Sequence, residues 1–271
     1  MMSSRQVRFG EQRLVRPEVG AAARLHYRLF GVADPAHFLH NDWMRRLLLP
    51  VITTPPKRVL DAGCGRADHS IFLARLFPEA QILGIDIDAP MIERNRDTAR
   101  RLGLTNLEFG VQDLTALEST DEFDVIISID VLEHIVEQQQ ALRNLARALR
   151  PGGHSFYHVP TVRETPVPFS RGLKDFHEWG EREHLADELS AEQFTSRVAE
   201  SGIEVLRSER TFGYFTGELA TSLFALPYRN TPLNVVAQLV LAVPGRLLAM
   251  ADSLGLDSTR YAVGVLGRRG K

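Results

Sequence analysis

Between residues 58 and 159 the chain alternates short apolar runs with amphipathic ones, and that rhythm restricts the folds open to it. Arg58–Ala62, Gln81–Asp86, Leu107–Val111, Phe123–Ile129 and His154–Val159 read as strands. Asp68–Phe77, Pro90–Leu102 and Glu137–Leu149 read as helices, closed by Pro78, by Gly103 and by Pro151-Gly152-Gly153. Strands alternating with helices predict an α/β fold with a parallel sheet covered on both faces. Such sheets bind ligands beyond the carboxyl ends of their strands.

The rest of the chain is organised around this core. Residues 20–31 and 36–49 read as helices, giving an N-terminal helical cap over residues 1–50. Core residues 51–212 include a lid at 160–189, where Pro160, Pro166 and Pro168 break the rhythm. Ser190–Gly202 reads as a helix with a capping box formed by Ser190 and Gln193, and Ile203–Arg210 as a strand. Residues 213–256 are an apolar helical insertion interrupted by Pro244, and residues 257–271 hold the final strand, Arg260–Gly267.

Charge narrows the classes of partner. The formal net charge is -2 over 271 residues, and no basic-aromatic groove is evident, so nucleic acid is not expected. Cys64 is the single cysteine, which excludes an internal disulfide and suits a reducing cytoplasm. Neither a secretory leader nor an apolar run of about 18 residues is present, so no spanning helix is expected. The basic start (Arg5, Arg8, Arg13, Arg16, Arg24 and Arg28 against Glu11 and Glu18) reads as a solvated arm, with docking of an anionic acceptor as the alternative.

The segment Asp61-Ala62-Gly63-Cys64-Gly65 joins the first strand to its helix. Two glycines at alternate positions allow a tight turn and close backbone approach to a ligand. A dinucleotide loop would place a third glycine at position 68, but Asp68 stands there and would repel a pyrophosphate. Asp61, just before the glycines, suits a cationic group. Asp86 ends the second strand, where it can accept from ribose hydroxyls, and Asp113 follows the third, where it can receive an exocyclic amine. Taken singly, each acid is an ordinary loop cap; three at successive strand ends form a pattern.

These segments resemble the class I S-adenosylmethionine-dependent methyltransferases, in particular the small-molecule branch. The matching motifs are Val59-Leu60-Asp61-Ala62-Gly63-Cys64-Gly65, Gly84-Ile85-Asp86-Ile87-Asp88, Gln112-Asp113 and Asp124-Val125-Ile126-Ile127-Ser128 followed by Glu133-His134. The resemblance covers roughly residues 57–210. It implies a Rossmann-like seven-stranded sheet with helices on both faces and the last strand antiparallel. It implies S-adenosylmethionine as cofactor, with Gly63 and Gly65 at its methionine part, Asp86 at the ribose and Asp113 at the adenine. Asp61, Ile87, Met91, Gln112 and Ile129 complete the expected cofactor set, and Met91 serves equally as helix core.

Methyl transfer needs an aligned nucleophile, excluded water and, for a hydroxyl acceptor, a base. Histidine suits that role. The candidates are His134, just past the fourth strand, His158 at the end of the fifth, and His184 in the lid, where His177 also lies. Asp130, Glu133 and His134 resemble the E-x-x-E-H metal site of ubiquinone-pathway O-methyltransferases and of small-RNA 2′-O-methyltransferases. Asp130 stands where those have glutamate, so no metal ligand is assigned and a divalent ion is the lesser alternative. The fourth strand lacks the N/D-P-P-Y/F loop of enzymes acting on base amines.

The expected activity is therefore O-methylation of a small or lipid-like apolar acceptor. N- or C-methylation, a non-catalytic cofactor-binding role and an NAD-dependent oxidoreductase are the alternatives. Leu239, Leu247 and their aliphatic neighbours in 213–256 are expected to cover that acceptor, with peripheral membrane contact as the alternative.

Overall fold

The computed structural model describes residues 7–17, 21–31, 35–161, 189–213, 260 and 262–271, with scattered residues between 240 and 254. Seven strands form one sheet: β1 Arg58–Ala62, β2 Gln81–Asp86, β3 Leu107–Val111, β4 Phe123–Ile129, β5 Leu149–Pro160, β6 Ile203–Thr211 and β7 Ala262–Arg269. Their spatial order is β3-β2-β1-β4-β5-β7-β6. The pairs among β1 to β5 are parallel, whereas β7 runs antiparallel to both β5 and β6. The order reverses at β1, which has β2 on one side and β4 on the other. Ligands bind at such a crevice.

Four helices follow the strands: α3 Asp68–Leu76, α4 Ala89–Arg101, α5 Gln138–Ala148 and α6 Ala191–Glu200. One core layer joins Ile71, Phe72, Ile92 and Ala99 of α3 and α4 to Val59, Val125 and Phe156 of the sheet. The other joins Leu142 and Leu145 of α5 and Phe194 and Val198 of α6 to Leu60, Ile126 and Val265. Alternate residues of each strand thus feed opposite layers, as the pleat requires. The capping box of α6 is formed: Ser190 Oγ accepts from the Gln193 amide at 3.2 Å, and Gln193 Oε1 accepts from the Ser190 amide at 2.8 Å. The last strand runs over Ala262–Arg269, and the Arg260 side chain, just before it, donates to the Arg210 carbonyl at 3.0 Å.

Two earlier helices, α1 Ala21–Phe30 and α2 Pro35–Leu47, precede the sheet in sequence. Trp43, Met44, Leu47 and Leu48 enter the core layer of α3. Among the described arginines of the N-terminal segment Arg8 and Arg28 are exposed, whereas Arg16 is buried. Phe9 packs on His69 with ring centroids 4.9 Å apart, and Glu11 receives Arg75 in a two-pronged pair at 2.8 and 3.0 Å. Arg16 is buried, donating to the Arg66 carbonyl at 2.9 Å and to Asn95 Oδ1 at 2.6 Å. Arg8 and Arg24 donate to the carbonyls of Arg28 and Arg16. Backbone carbonyls outside regular structure need donors, and guanidinium groups supply them.

The expected lid, with His177 and His184, and most of the 213–256 insertion lie outside the described residues. Among those described there, Val240, Leu247, Met250 and Leu254 are exposed. Among the described residues no helix is long and apolar enough to cross a membrane.

Candidate functional site

The turn from β1 to α3 carries three left-handed residues, Gly63, Gly65 and Ala67, with φ of 80°, 45° and 61°. It is fastened at its start, where the amides of Gly63 and Cys64 both donate to the Ile85 carbonyl at 2.8 Å. It is also held through the Gly65 carbonyl, which accepts from Asn95 Nδ2 at 2.7 Å. A Cβ at Gly63 would run into Val131, whereas one at Gly65 would meet no atom within 4 Å. The first position is glycine because neighbouring atoms crowd it; the second opens onto unfilled space. Ala67 caps α3 without a side-chain bond, so the first amides of that helix are not satisfied by their own cap.

Parallel pairing brings the three acids to one edge of the sheet. Ala62 is in register with Ile85, and Asp86 with Val111, so the ends of β1, β2 and β3 lie side by side. Asp61 is buried, and its Oδ2 accepts from the Ser70 hydroxyl at 2.5 Å. Burial pushes its carboxyl up to about 7; Ser70 opposes the rise, and the nearby charges of Asp86 and Asp68 add to it. Asp86 is half-buried and accepts from the Gly65 amide at 2.8 Å and the Asp88 amide at 3.0 Å. Asp113 caps the turn Leu114–Ala116, accepting on Oδ1 from the amide and the hydroxyl of Thr115, both at 2.8 Å. Its Oδ2 takes part in neither bond.

Apolar surface flanks these polar groups. Ile87, between Asp86 and Asp88, is 72% exposed, and Val111 at the end of β3 is exposed too. Met91 and Ile129 are half-buried. Gln112 donates to the carbonyls of Asp113 and Ala116, which fixes the turn beside it. The edge therefore offers amides, carboxylates and uncovered aliphatic surface together. Such a set suits a ligand with a cationic end, a hydroxylated middle and a flat apolar ring.

A second cluster lies at the ends of β4 and β5. His158 is enclosed: Nδ1 meets Asp130 Oδ1 at 2.7 Å, Nε2 meets Thr211 Oγ1 at 2.8 Å, and Phe212 packs on the ring at 5.3 Å between centroids. Glu133 is buried, and burial together with the charge of Asp130 holds its carboxyl well above the usual range. His134 is more open, with Nε2 3.8 Å from Glu133 Oε1. Among the described residues no group of three or more His, Cys, Asp or Glu side chains is arranged to hold a metal ion.

Sequence reasoning missed Ser70, Asn95, Thr211 and the buried role of Arg16. Only Ser70 left a signal, since the first turn of α3 must return beside the end of β1.

The profile of the family described as "Methyltransferase domain" matches residues 54–200. A "Ubiquinone biosynthesis O-methyltransferase" of Coxiella burnetii is 30% identical over 128 residues, covering 47% of this chain and 53% of the relative. A protein of the same description from Xanthomonas oryzae is 35% identical over 118 residues, covering 42% of this chain and 46% of the relative. The chain spans about half the length of the curated relatives it matches. Among solved structures, the phosphoethanolamine N-methyltransferase 2 of Haemonchus contortus in complex with S-adenosyl-L-methionine superposes with a TM-score of 0.65 at 17% identity. That match covers 100% of this chain and 61% of the other, and it shows a shared fold.

Proposed function

The chain belongs to the methyltransferase-domain family, and on that premise we propose that it transfers the methyl group of S-adenosylmethionine to an oxygen of a small or lipid-like apolar acceptor. The observation that carries the cofactor assignment is the open side of Gly65 beside Asp86, with Asp61 behind it and Asp113 at the neighbouring strand end. When bound, the cofactor supplies an activated methyl group on a cationic sulfur.

The chain's own residues fit its parts. The Gly63–Gly65 turn and the first turn of α3 offer backbone groups to the amino-acid end, and Asp61 contributes negative potential there. Asp86, half-buried at the end of β2, would accept from the ribose hydroxyls. Asp113 Oδ2 suits the adenine amine, and Ile87 and Val111, exposed as they stand, would be covered by the ring. Asp68 disfavours the pyrophosphate of NAD.

Oxygen as the acceptor atom is supported by the curated relatives, whose descriptions name an O-methyltransferase. An apolar acceptor is supported by the exposed aliphatic residues Val240, Leu247, Met250 and Leu254. The test is calorimetry with S-adenosylmethionine, S-adenosylhomocysteine and NAD, followed by methylation assays on catechol and pentadecylcatechol. Binding of the first two ligands, with the alkylated catechol turned over more efficiently, is the expected result. Preferential NAD binding would overturn the reading.

A further inference from the structure

Asp130 is the first residue after β4, and its φ of 54° lies in the left-handed region that residues other than glycine rarely adopt. Two contacts with one partner hold it there. Its amide donates to the His158 carbonyl at 2.9 Å, and its Oδ1 meets His158 Nδ1 at 2.7 Å. The other ring nitrogen reaches Thr211 at 2.8 Å, across the intervening strand β7. That reach needs little side chain on β7, and the residues there are small: His158 is in register with Gly264 and Thr211 with Ala262.

The direction of the bonds follows from chemistry. An ionised carboxylate only accepts, so Nδ1 carries the hydrogen; in the neutral ring Nε2 then accepts, and the Thr211 hydroxyl donates to it. Three groups thus align from a fully buried threonine to a carboxylate at the sheet edge. The imidazole is 2% exposed and the Asp130 side chain 40%. Of the three side chains, that of Asp130 is the most exposed. Glu133, three residues on, is buried, so its carboxylate is less accessible to an incoming hydroxyl than that of Asp130.

We propose that Asp130 meets the hydroxyl of the acceptor and takes its proton, with His158 and Thr211 as positioning residues behind it. This rests on the methyl-transfer reading above. The acceptor oxygen forms its bond to the methyl carbon as the carbon–sulfur bond breaks, the electron pair of that bond staying on sulfur. The O–H bond breaks in the same transfer, its pair staying on oxygen and its proton passing to the Asp130 carboxylate.

The experiment measures kcat, KM and cofactor affinity with pentadecylcatechol, and with dodecylamine as the amine comparison. Asp130→Asn keeps the shape and removes the base; it is expected to lower kcat by about 10²–10⁴, with cofactor affinity retained. His158→Asn keeps an N–H where Nδ1 stands and should hold kcat within about tenfold of wild type, whereas His158→Leu should lose more, mainly in kcat. Wild-type kcat in Asp130→Asn would overturn the inference. So would a loss confined to His134→Ala, or a His158→Leu variant that changes only melting temperature. A wild-type enzyme that binds S-adenosylmethionine yet methylates only dodecylamine, or neither probe, refutes O-methylation itself and this inference with it.

Discussion

The Gly65 amide donates to Asp86 Oδ2 at 2.8 Å, tying the turn after β1 to the end of β2. One carboxylate thus shapes the turn and stands ready for a ligand. Asp86→Ala should weaken S-adenosylmethionine binding by about 1.5–3 kcal/mol, the scale of hydrogen bonds to a charged group. Calorimetry measures this, and circular dichroism should show the fold intact because Asp86 is only half-buried.

Asp61 makes binding depend on pH. Its carboxyl is raised to about 7 in the folded chain, above its ordinary value, so its contribution to stability declines as pH climbs towards 7. A cationic cofactor favours the ionised form. Binding at neutral pH should therefore release a proton, and affinity should fall as pH drops below 7. Binding heats measured in buffers of different ionisation enthalpy report that proton. Asp61→Asn should abolish the release and flatten the stability profile.

The two turn glycines should separate folding from binding. Gly63→Ala places a methyl group against Val131 at a φ of 80°, and should destabilise the protein by about 1–3 kcal/mol in denaturant titrations. Gly65→Ala meets nothing within 4 Å and should lose less stability. Its methyl group fills the open side of the turn, so cofactor affinity should suffer more than the fold does.

Arg16→Ala removes a buried guanidinium that bonds to Arg66 and Asn95. A loss of about 1.5–3 kcal/mol is expected from the charged hydrogen bonds and the acceptors left behind. Thermal unfolding checks the loss. Because Asn95 also holds the Gly65 carbonyl, cofactor affinity should fall as well.

Gly264→Val should break the reach of His158 to Thr211, since it places a branched side chain on the residue paired with His158. The same side chain would press on Phe156, which would stand 3.3 Å from the new Cβ. Lower thermal stability together with reduced turnover is expected. Gly264→Ala should show the same pattern in weaker form.

The sheet and the gathering of the glycine turn and the acids at one edge were legible because both are written locally. Period-two runs mark the strands, and Gly63, Gly65, Asp86 and Asp113 each lie within a few residues of a strand end. The capping box at Ser190 and Gln193 was legible for the same reason. The Asp130–His158–Thr211 alignment was not, because its members are 28 and 53 residues apart and meet only through strand order. His158 read alone as a base; the fold encloses it between Asp130, Thr211 and Phe212, which no local motif signals. Nor does the pattern of arginines distinguish Arg16 from solvated ones. Its burial depends on carbonyls at Arg66 and a side chain at Asn95, which only the fold supplies.

The placement of β7 between β5 and β6 carries a consequence for how the molecule is born. On a ribosome β5 and β6 emerge well before residues 262–269, and each waits with a bare, unpaired edge that invites wrong partners. The five parallel strands β1 to β5 pair with one another without β6 or β7, so that part of the sheet can form early. His158 and Thr211 gain the Gly264–Ala262 strand between them only when β7 pairs with β5 and β6. Completion of the Asp130–His158–Thr211 alignment is thereby deferred until β7 has emerged.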